Sequence, residues 1–455
     1  MIAICGTGMG ALACMLKDLG LHVTGSDKNV YPPMSTFLAE KGVPVLQGFL
    51  PEYLESQPDL VIVGNTVSND NPQVTAMCEK EIHCCSMPQA IQHFFGNRNI
   101  LLVTGTHGKT TTSSLLSWIL QTAHQDPSFF IGGIVQNFSS NYRIGKGPCM
   151  VVEGDEYDTA FFDKNPKFLH YQPSHTILTG IEFDHADIYR DLSHVKDSFN
   201  RLIKKLSKES LLIAYRPNKN VQELITHIPC RCETYGDKDS NWCIQSIQHH
   251  PPWTQFDVYY NKHFFRQFQT PLMGEHNLSN LLAVIAVASD LGINKSDLAK
   301  AIESFQGIKR RQEIRGVKNG ITVMDDFAHH PTAVLETLKA VKPFYANGRI
   351  IAVFEPRTNS SRRRVFQNVY PDVFYPADIV CIRQAPLLEK IPENERFSSQ
   401  ELVDSLKQKG QNAHYFESTD QIIDFVVQSA QEKDLILIMS NGGFDNIHAR
   451  LLEQL

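Results

Sequence analysis

Ile100-Leu-Leu-Val-Thr-Gly105-Thr-His-Gly-Lys109-Thr-Thr-Thr112 is the stretch on which the reading of this chain turns. An apolar run, residues 100–103, meets a Gly-rich turn, then Lys109, Thr110 and a helix-compatible segment over residues 111–120. A buried strand that delivers such a turn to a helix N-terminus aims backbone N–H groups and the positive end of a helix dipole at one point, which suits phosphate oxygens. Lys109 is placed to reach the β/γ-phosphates and the Thr110 hydroxyl to hold Mg²⁺. Only Thr106 and His107 separate Gly105 from Gly108, whereas the general phosphate loop has four residues between its glycines. The alternative is a tight strand-to-helix turn with a surface lysine. The order strand, glycines, Lys-Thr, helix favours a nucleoside triphosphate site.

Working outward, 455 residues suffice for about three domains. With 42% hydrophobic and 20% charged residues the composition is that of a soluble globular protein. A net charge of −6 speaks against a nucleic-acid binder, which shows a basic excess. The ten cysteines include adjacent Cys84-Cys85 and a Cys230-Arg-Cys232 without a second zinc-ribbon pair, so they read as reduced thiols. No apolar run approaches the ~20 residues that span a bilayer. The first residues carry no basic n-region, and a cytoplasmic protein is expected.

Upstream of the loop, residues 2–5 read as a strand, then Gly6-Thr-Gly8-Met-Gly10-Ala11, a helix over 12–19, and a strand over 21–27 ending on Asp27. That is the Gly-x-Gly-x-x-Ala form of the dinucleotide fingerprint, with an acid 21 positions after Gly6. Alone it points to a nicotinamide oxidoreductase, or to a tight βα turn with no ligand. Asp59-Leu-Val-Ile-Val-Gly64-Asn65 is a further strand ending in a polar turn.

Downstream, Cys149-Met-Val-Val-Glu153-Gly-Asp155-Glu156-Tyr-Asp158 is a strand that runs into four acids within six residues. Such acids repel unless a cation or a positive loop neutralises them, and a strand-end carboxylate is where a P-loop ATPase anchors Mg²⁺. Residues 175–187 repeat the design, ending Glu182-Phe-Asp184-His185-Ala-Asp187, with a histidine able to bind metal. Residues 206–268 suggest alternating strands, and His249-His250 a solvated pair. Gly274-Glu-His276-Asn277-Leu-Ser-Asn280 opens a helix over 281–291, with Asn277 and Asn280 on one face. Lys309-Arg310-Arg311 lies at a junction, before Met324-Asp325-Asp326-Phe-Ala-His329-His330-Pro331, a strand, turn and helix start. Glu355-Pro-Arg357 and Ser440-Asn-Gly-Gly443 close two more strands with polar turns.

Gly105-Thr-His-Gly-Lys-Thr-Thr111, Glu153, Asp184-His185, Gly-x-His-Asn-x-x-Asn and the Asp-Asp of residues 325–326 together resemble the Mur ligases, which join amino acids or peptides to UDP-muramyl precursors. The resemblance spans Gly6 to Gly443. It implies three α/β domains: a Rossmann-like UDP-binding domain (1–97), a central P-loop ATPase domain (98–305) and a Rossmann-like C-terminal domain (306–455). ATP and Mg²⁺ are the implied cofactors. Gly105, Thr106, His107, Gly108, Lys109, Thr110, Thr111, Asn277, Asn280, Arg311 and Asp326 are implied at ATP. Thr110, Glu153 and His185 are the implied metal ligands, with Lys109, Glu153 and His185 catalytic. Gly6, Gly8, Asp27 and Asn65 are implied at the UDP-sugar.

Tyr31-Pro-Pro-Met-Ser35, Gly64-Asn-Thr-Val-Ser68 and an insert over residues 160–171 resemble the branch that attaches L-alanyl-γ-D-glutamyl-meso-diaminopimelate to UDP-N-acetylmuramate in cell-wall recycling. The alternative is the branch that uses L-alanine, which lacks the insert. Where the peptide branch follows Glu-Pro-Arg-Ser with a Thr-Met-x-x-Gly-like stretch, this chain has Thr358-Asn-Ser-Ser-Arg-Arg-Arg364-Val-Phe. The expected partners are these small substrates, without nucleic acid or membrane insertion, and the expected state is a monomer or weak oligomer. A protein that binds UDP-sugar without chemistry is a further alternative.

Overall fold

The computed structural model describes residues 1–30 and 34–455, so Tyr31, Pro32 and Pro33 of the Tyr-Pro-Pro-Met-Ser motif lie outside the described residues. Three sheet regions follow one another along the chain.

In the first, Gly25–Asp27 pairs with Val45–Gln47, and Val61–Val63 with Cys84–Ser86, all parallel. Ile2 joins the two pairs, bridging to Ser26 on one side and Val63 on the other. The expected strand over residues 2–5 is therefore reduced to isolated bridges. Ala3 sits at φ 62°, a left-handed conformation that breaks the extended ladder. The following helix, Thr7–Asp18, starts five residues earlier than its apolar run indicates, and takes Gly8 into its first turn. The strand expected over 21–27 keeps only its last three residues.

The central sheet has ten strands. Asn99–Thr104 lies between Cys149–Gly154 and Pro173–Leu178, both parallel to it, with Val103 level with Glu153 and Thr104 with Leu178. Their C-terminal ends coincide at one edge, where parallel α/β sheets bind ligands. Residues 100–103 and 149–152 are buried apolar runs, as strands covered on both faces must be, and the third strand buries Thr176, Ile177 and Leu178 beside them. One face is covered by two helices in contact, Lys109–Thr122 and Glu275–Asp290. Thr112, Ser113, Ser114 and Ser117 of the first are fully buried. Short side chains permit that close packing, and Ser114 and Ser117 return their hydroxyls to the carbonyls of Thr110 and Ser113. The Glu275–Asp290 helix begins six residues before the apolar run over 281–291, so Asn277 and Asn280 lie in its first two turns. The expected alternating strands over 206–268 are present, ending in the meander Trp242–His250, Trp253–Tyr260 and His263–Thr270. His249 and His250 bond to Thr254 and Gln248.

The insert forms a small antiparallel hairpin, Asp158–Ala160 with Asp163–Pro166. Phe161 packs against the first region's core cluster that includes Ile2 and Val63, and buried Phe168 stacks on Phe199 at 5.1 Å. The third region is a six-stranded sheet in which Glu313–Lys318 is the antiparallel edge of an otherwise parallel array. All ten cysteines are free. Among the described residues no helix is long and apolar enough to cross a membrane.

Candidate active site

The phosphate-type loop connects the strand Asn99–Thr104 to the helix Lys109–Thr122. Gly105 and Gly108 have φ of 127° and 79°, which L side chains rarely adopt. A Cβ at Gly105 would collide with Thr179 Oγ1 and the Gly180 backbone, and one at Gly108 with the Asn280 amide. Both glycines are thus required by backbone shape and by close packing.

Lys109 Nζ donates to Gly105 O at 2.7 Å and to Glu156 Oε2 at 2.6 Å. Burial works against its charge, but Glu156 and Asp155 overcome that and hold its pKa above the ordinary lysine value. Glu156 Oε1 bonds His185 Nε2 at 2.9 Å. Burial lowers the His185 pKa and the Glu156 carboxylate raises it, with a net upward shift.

Three of the four acids are neutralised one by one. Lys109 pairs with Glu156, Lys167 with Asp155 at 2.8 Å and Lys164 with Asp158 at 3.2 Å. The last two lysines come from the insert. Among the described residues Glu153 alone of the four has no ion-pair partner. It accepts the Thr110 hydroxyl at 2.9 Å and the Gly132 N–H at 2.7 Å. Burial pushes its pKa up, the mark of a carboxylate whose charge the protein does not fully compensate. A hydroxyl and an uncompensated carboxylate beside a phosphate loop fit a hard divalent cation such as Mg²⁺. His185 is turned to Glu156, so the three expected metal ligands fall into two neighbouring groups, Thr110 with Glu153 and His185 with Glu156.

Asn277 and Asn280 are buried and bonded to each other at 3.4 Å. Asn277 also donates to Met273 O and Gln312 Oε1, so these amides hold the loop and the junction together in this conformation. Arg311 lies over the Phe327 ring at 4.7 Å and makes no ion pair among the described residues, which leaves its cation open to an anion. Asp326 accepts the N–H groups of Gln312 and Ala328 and is buried, which raises its pKa. Its oxygens shape the turn after its strand.

In the first region, Asp27 ends its strand, Asn65 follows the strand Val61–Val63, and Gly6 and Gly8 stand at the start of the helix Thr7–Asp18 that follows the Ile2 bridge. Asp27 accepts the N–H of Cys5 at 2.8 Å and of Asn29 at 3.0 Å, and Asn65 is exposed in a turn.

Sequence reasoning passed over three groups. Glu156 counted only as one acid in a run, and no spacing rule says which member turns inward. Thr179, whose hydroxyl reaches Thr104 O and His107 O, shows no motif. Glu182 and His330, from separate sheet regions, meet beside His107 with ligand-type atoms within 4.8 Å of one another. Burial raises the Glu182 pKa, but His107, the Thr332 bond and His330 together outweigh it and the carboxyl is held down to about 2. Burial is also the chief cause that lowers His330 to about 4. The unusual residues 358–364 dock on this acidic segment: Ser360 Oγ accepts the Ala186 N–H, and Asn359 Nδ2 bonds Asp187 at 2.8 Å.

Family comparison accounts for this arrangement across the chain. The Mur ligase family catalytic domain matches residues 1–98, the Mur ligase middle domain residues 103–288, and the Mur ligase glutamate ligase domain residues 310–442. The chain belongs to the Mur ligase family. This Mur ligase is 39% identical, over 100% of its length and 98% of the relative's, to the UDP-N-acetylmuramate--L-alanyl-gamma-D-glutamyl-meso-2,6-diaminoheptandioate ligase of Haemophilus influenzae. It is similar to the crystal structure of a murein peptide ligase from Psychrobacter arcticus, with a TM-score of 0.72 and 33% identity over 100% of this chain and 97% of that one. It is 32% identical to the UDP-N-acetylmuramate--L-alanine ligase of Clostridium tetani, over 97% of this chain and 94% of that one. As a Mur ligase, the protein is an ATP-dependent ligase with three α/β domains.

Proposed function

We propose that this Mur ligase joins UDP-N-acetylmuramate to the tripeptide L-alanyl-γ-D-glutamyl-meso-diaminopimelate, as a cytoplasmic enzyme of peptidoglycan recycling. The observation that carries this is the 39% full-length identity to a ligase named for those substrates, against 32% to one named for L-alanine. The insert points the same way, because it is the element that neutralises Asp155 and Asp158 beside Lys109. A nicotinamide oxidoreductase leaves Lys109, Thr110 and Glu153 without work.

In this reading residues 1–97 hold the UDP-sugar through Gly6, Gly8, Asp27 and Asn65, 98–305 hold ATP, and 306–455 close over both. Thr110 and Glu153, with His185 nearby, would hold Mg²⁺, which when bound would supply charge neutralisation at the phosphates. Lys109 leaves Glu156 for the transferring phosphoryl group, and the loop amides share its charge. Asn277 and Asn280 border the adenine, Arg311 meets phosphate and Asp326 the ribose. The muramyl carboxylate is phosphorylated by ATP to an acyl phosphate. The peptide amine then attacks, forming the amide and releasing phosphate. Docking of residues 358–364 on the segment 184–187 excludes water that otherwise hydrolyses the acyl phosphate.

The test is mass spectrometry of the product formed from UDP-N-acetylmuramate and ATP with tripeptide and L-alanine in equal amounts. A tripeptide adduct supports the proposal. An L-alanine adduct as the main product replaces it with the biosynthetic reaction.

A further inference from the structure

One carboxylate beside the phosphate loop has no part in the nucleotide reading above. Glu182 follows the strand Pro173–Leu178, and its backbone N–H donates to Thr106 Oγ1 at 2.9 Å. Its Oε2 lies 3.3 Å from His107 Nε2 and accepts the Thr332 hydroxyl at 2.7 Å. Thr106 and His107 belong to the phosphate loop. Thr332 stands in the first turn of the helix Pro331–Val341, which belongs to the C-terminal region. A single carboxylate oxygen therefore touches the loop that is to hold ATP and the region that is to close over it.

His330 completes the junction. Its Nε2 is 3.2 Å from Phe183 O, and a carbonyl can only accept, so Nε2 carries the proton. Nδ1 is then an acceptor, and it takes the Thr332 N–H at 3.2 Å, capping the helix. One neutral tautomer satisfies both bonds. The cluster of His107, Glu182 and His330 offers metal-ligand atoms, but Nδ1 of His330 and Oε2 of Glu182 already have protein donors. The junction is complete as a hydrogen-bond network.

We propose that Glu182 is a positioning residue that couples the phosphate loop to closure of the C-terminal domain. The proposal rests on the ATP-ligase reading. Seating Thr332 on Glu182 fixes the carboxylate that orients His107, and ordering His107 fixes the carboxylate that receives Thr332. By linkage each event favours the other. Neither Glu182 nor Thr332 needs to touch substrate.

The experiment is a double-mutant cycle on the full chain, with Glu182→Ala, Thr332→Val, both together, and Thr332→Ser. Each single substitution is expected to lower kcat about tenfold with little change in the KM for ATP. The pair is expected to cost about tenfold as well, not about a hundredfold, because either change alone breaks the coupling. Thr332→Ser, which keeps the hydroxyl, restores kcat. Independent effects that multiply, or a loss confined to the KM for ATP, overturn the proposal. X-ray scattering gives a readout without turnover. With Mg²⁺ and the β,γ-imido analogue of ATP the wild-type radius of gyration is expected to contract, and that of Glu182→Ala to stay open. Equal contraction in both overturns the proposal. Contraction lost in the variant, in a protein that ligates neither amine, sustains it and sinks the ligase reading instead.

Discussion

Lys109 Nζ stands 2.6 Å from Glu156 Oε2, and the other oxygen of that carboxylate stands 2.9 Å from His185 Nε2. Glu156 thus parks the cation of the phosphate loop against a histidine from a different strand end. Lys109→Ala is expected to lower turnover about a thousandfold, the scale for removing a preorganised donor to a developing charge. Glu156→Gln removes the anchor but not the cation, so it should cost much less turnover than Lys109→Ala. Steady-state kinetics on both variants checks the order, and the reverse order would show that Glu156 is the chemically essential partner.

Among the described residues Glu153 is the member of the acidic run without a protein cation, which leaves its charge open to a bound one. Chelation of divalent ions is expected to abolish activity, and Mg²⁺ to restore it. Glu153→Gln should raise the Mg²⁺ concentration needed for half-maximal rate by at least about tenfold, the smaller end of the loss seen when a metal's surroundings are altered. A magnesium titration of both proteins measures this. An unchanged midpoint would remove Glu153 from the metal site.

Phe168 and Phe199 are both fully buried and stacked at 5.1 Å between the insert and the helix Leu192–Lys205. Phe168→Ala leaves a cavity that the surrounding helix and sheet cannot fill, with an expected loss of about 3–5 kcal/mol. Urea unfolding followed by circular dichroism reads it. A loss below about 1 kcal/mol would mean that the insert is not part of the cooperative core.

Asp434 carries a stability that depends on pH. Burial raises its pKa, but Arg349 donates two side-chain bonds to it, at 2.6 and 3.2 Å, and the Arg349 and Gln431 N–H groups add to them, with a net downward shift. A depressed folded pKa means stability that is present above the unfolded value of about 3.9 and is lost as pH falls through the folded one. Asp434→Asn is therefore expected to cost about 1.5–3 kcal/mol at pH 7. The gap between the two proteins should begin to narrow as pH falls below about 4 and close once pH lies below the folded pKa. A gap independent of pH would assign the effect to packing.

Much of the fold was legible because strands such as Asn99–Thr104, Cys149–Gly154 and Ile350–Phe354 carry apolar runs that end at Gly or an acid, and the phosphate loop was legible because its chemistry needs residues adjacent in sequence. The first strand was not, since Ala3 at φ 62° is a tertiary outcome that no local pattern announces. Helix starts at Thr7 and Glu275 were missed because the first turn is Gly-rich in one and the early turns of the other bury asparagines, so neither shows apolar periodicity. Contacts formed across distant strand ends stayed hidden for the same reason. The spacing of Glu182 and Thr332 says nothing about their meeting, and the partners of Asp155 and Asp158 come from an insert that read only as a family marker.

The central claim is amide ligation driven by ATP with a peptide amine, and initial-rate phosphate release tests it most directly. UDP-N-acetylmuramate and ATP are supplied with the tripeptide or with L-alanine, using wild type and Lys109→Ala. The expected result is release with the tripeptide alone, abolished in the variant. Release with L-alanine alone, or release that survives Lys109→Ala, would contradict it.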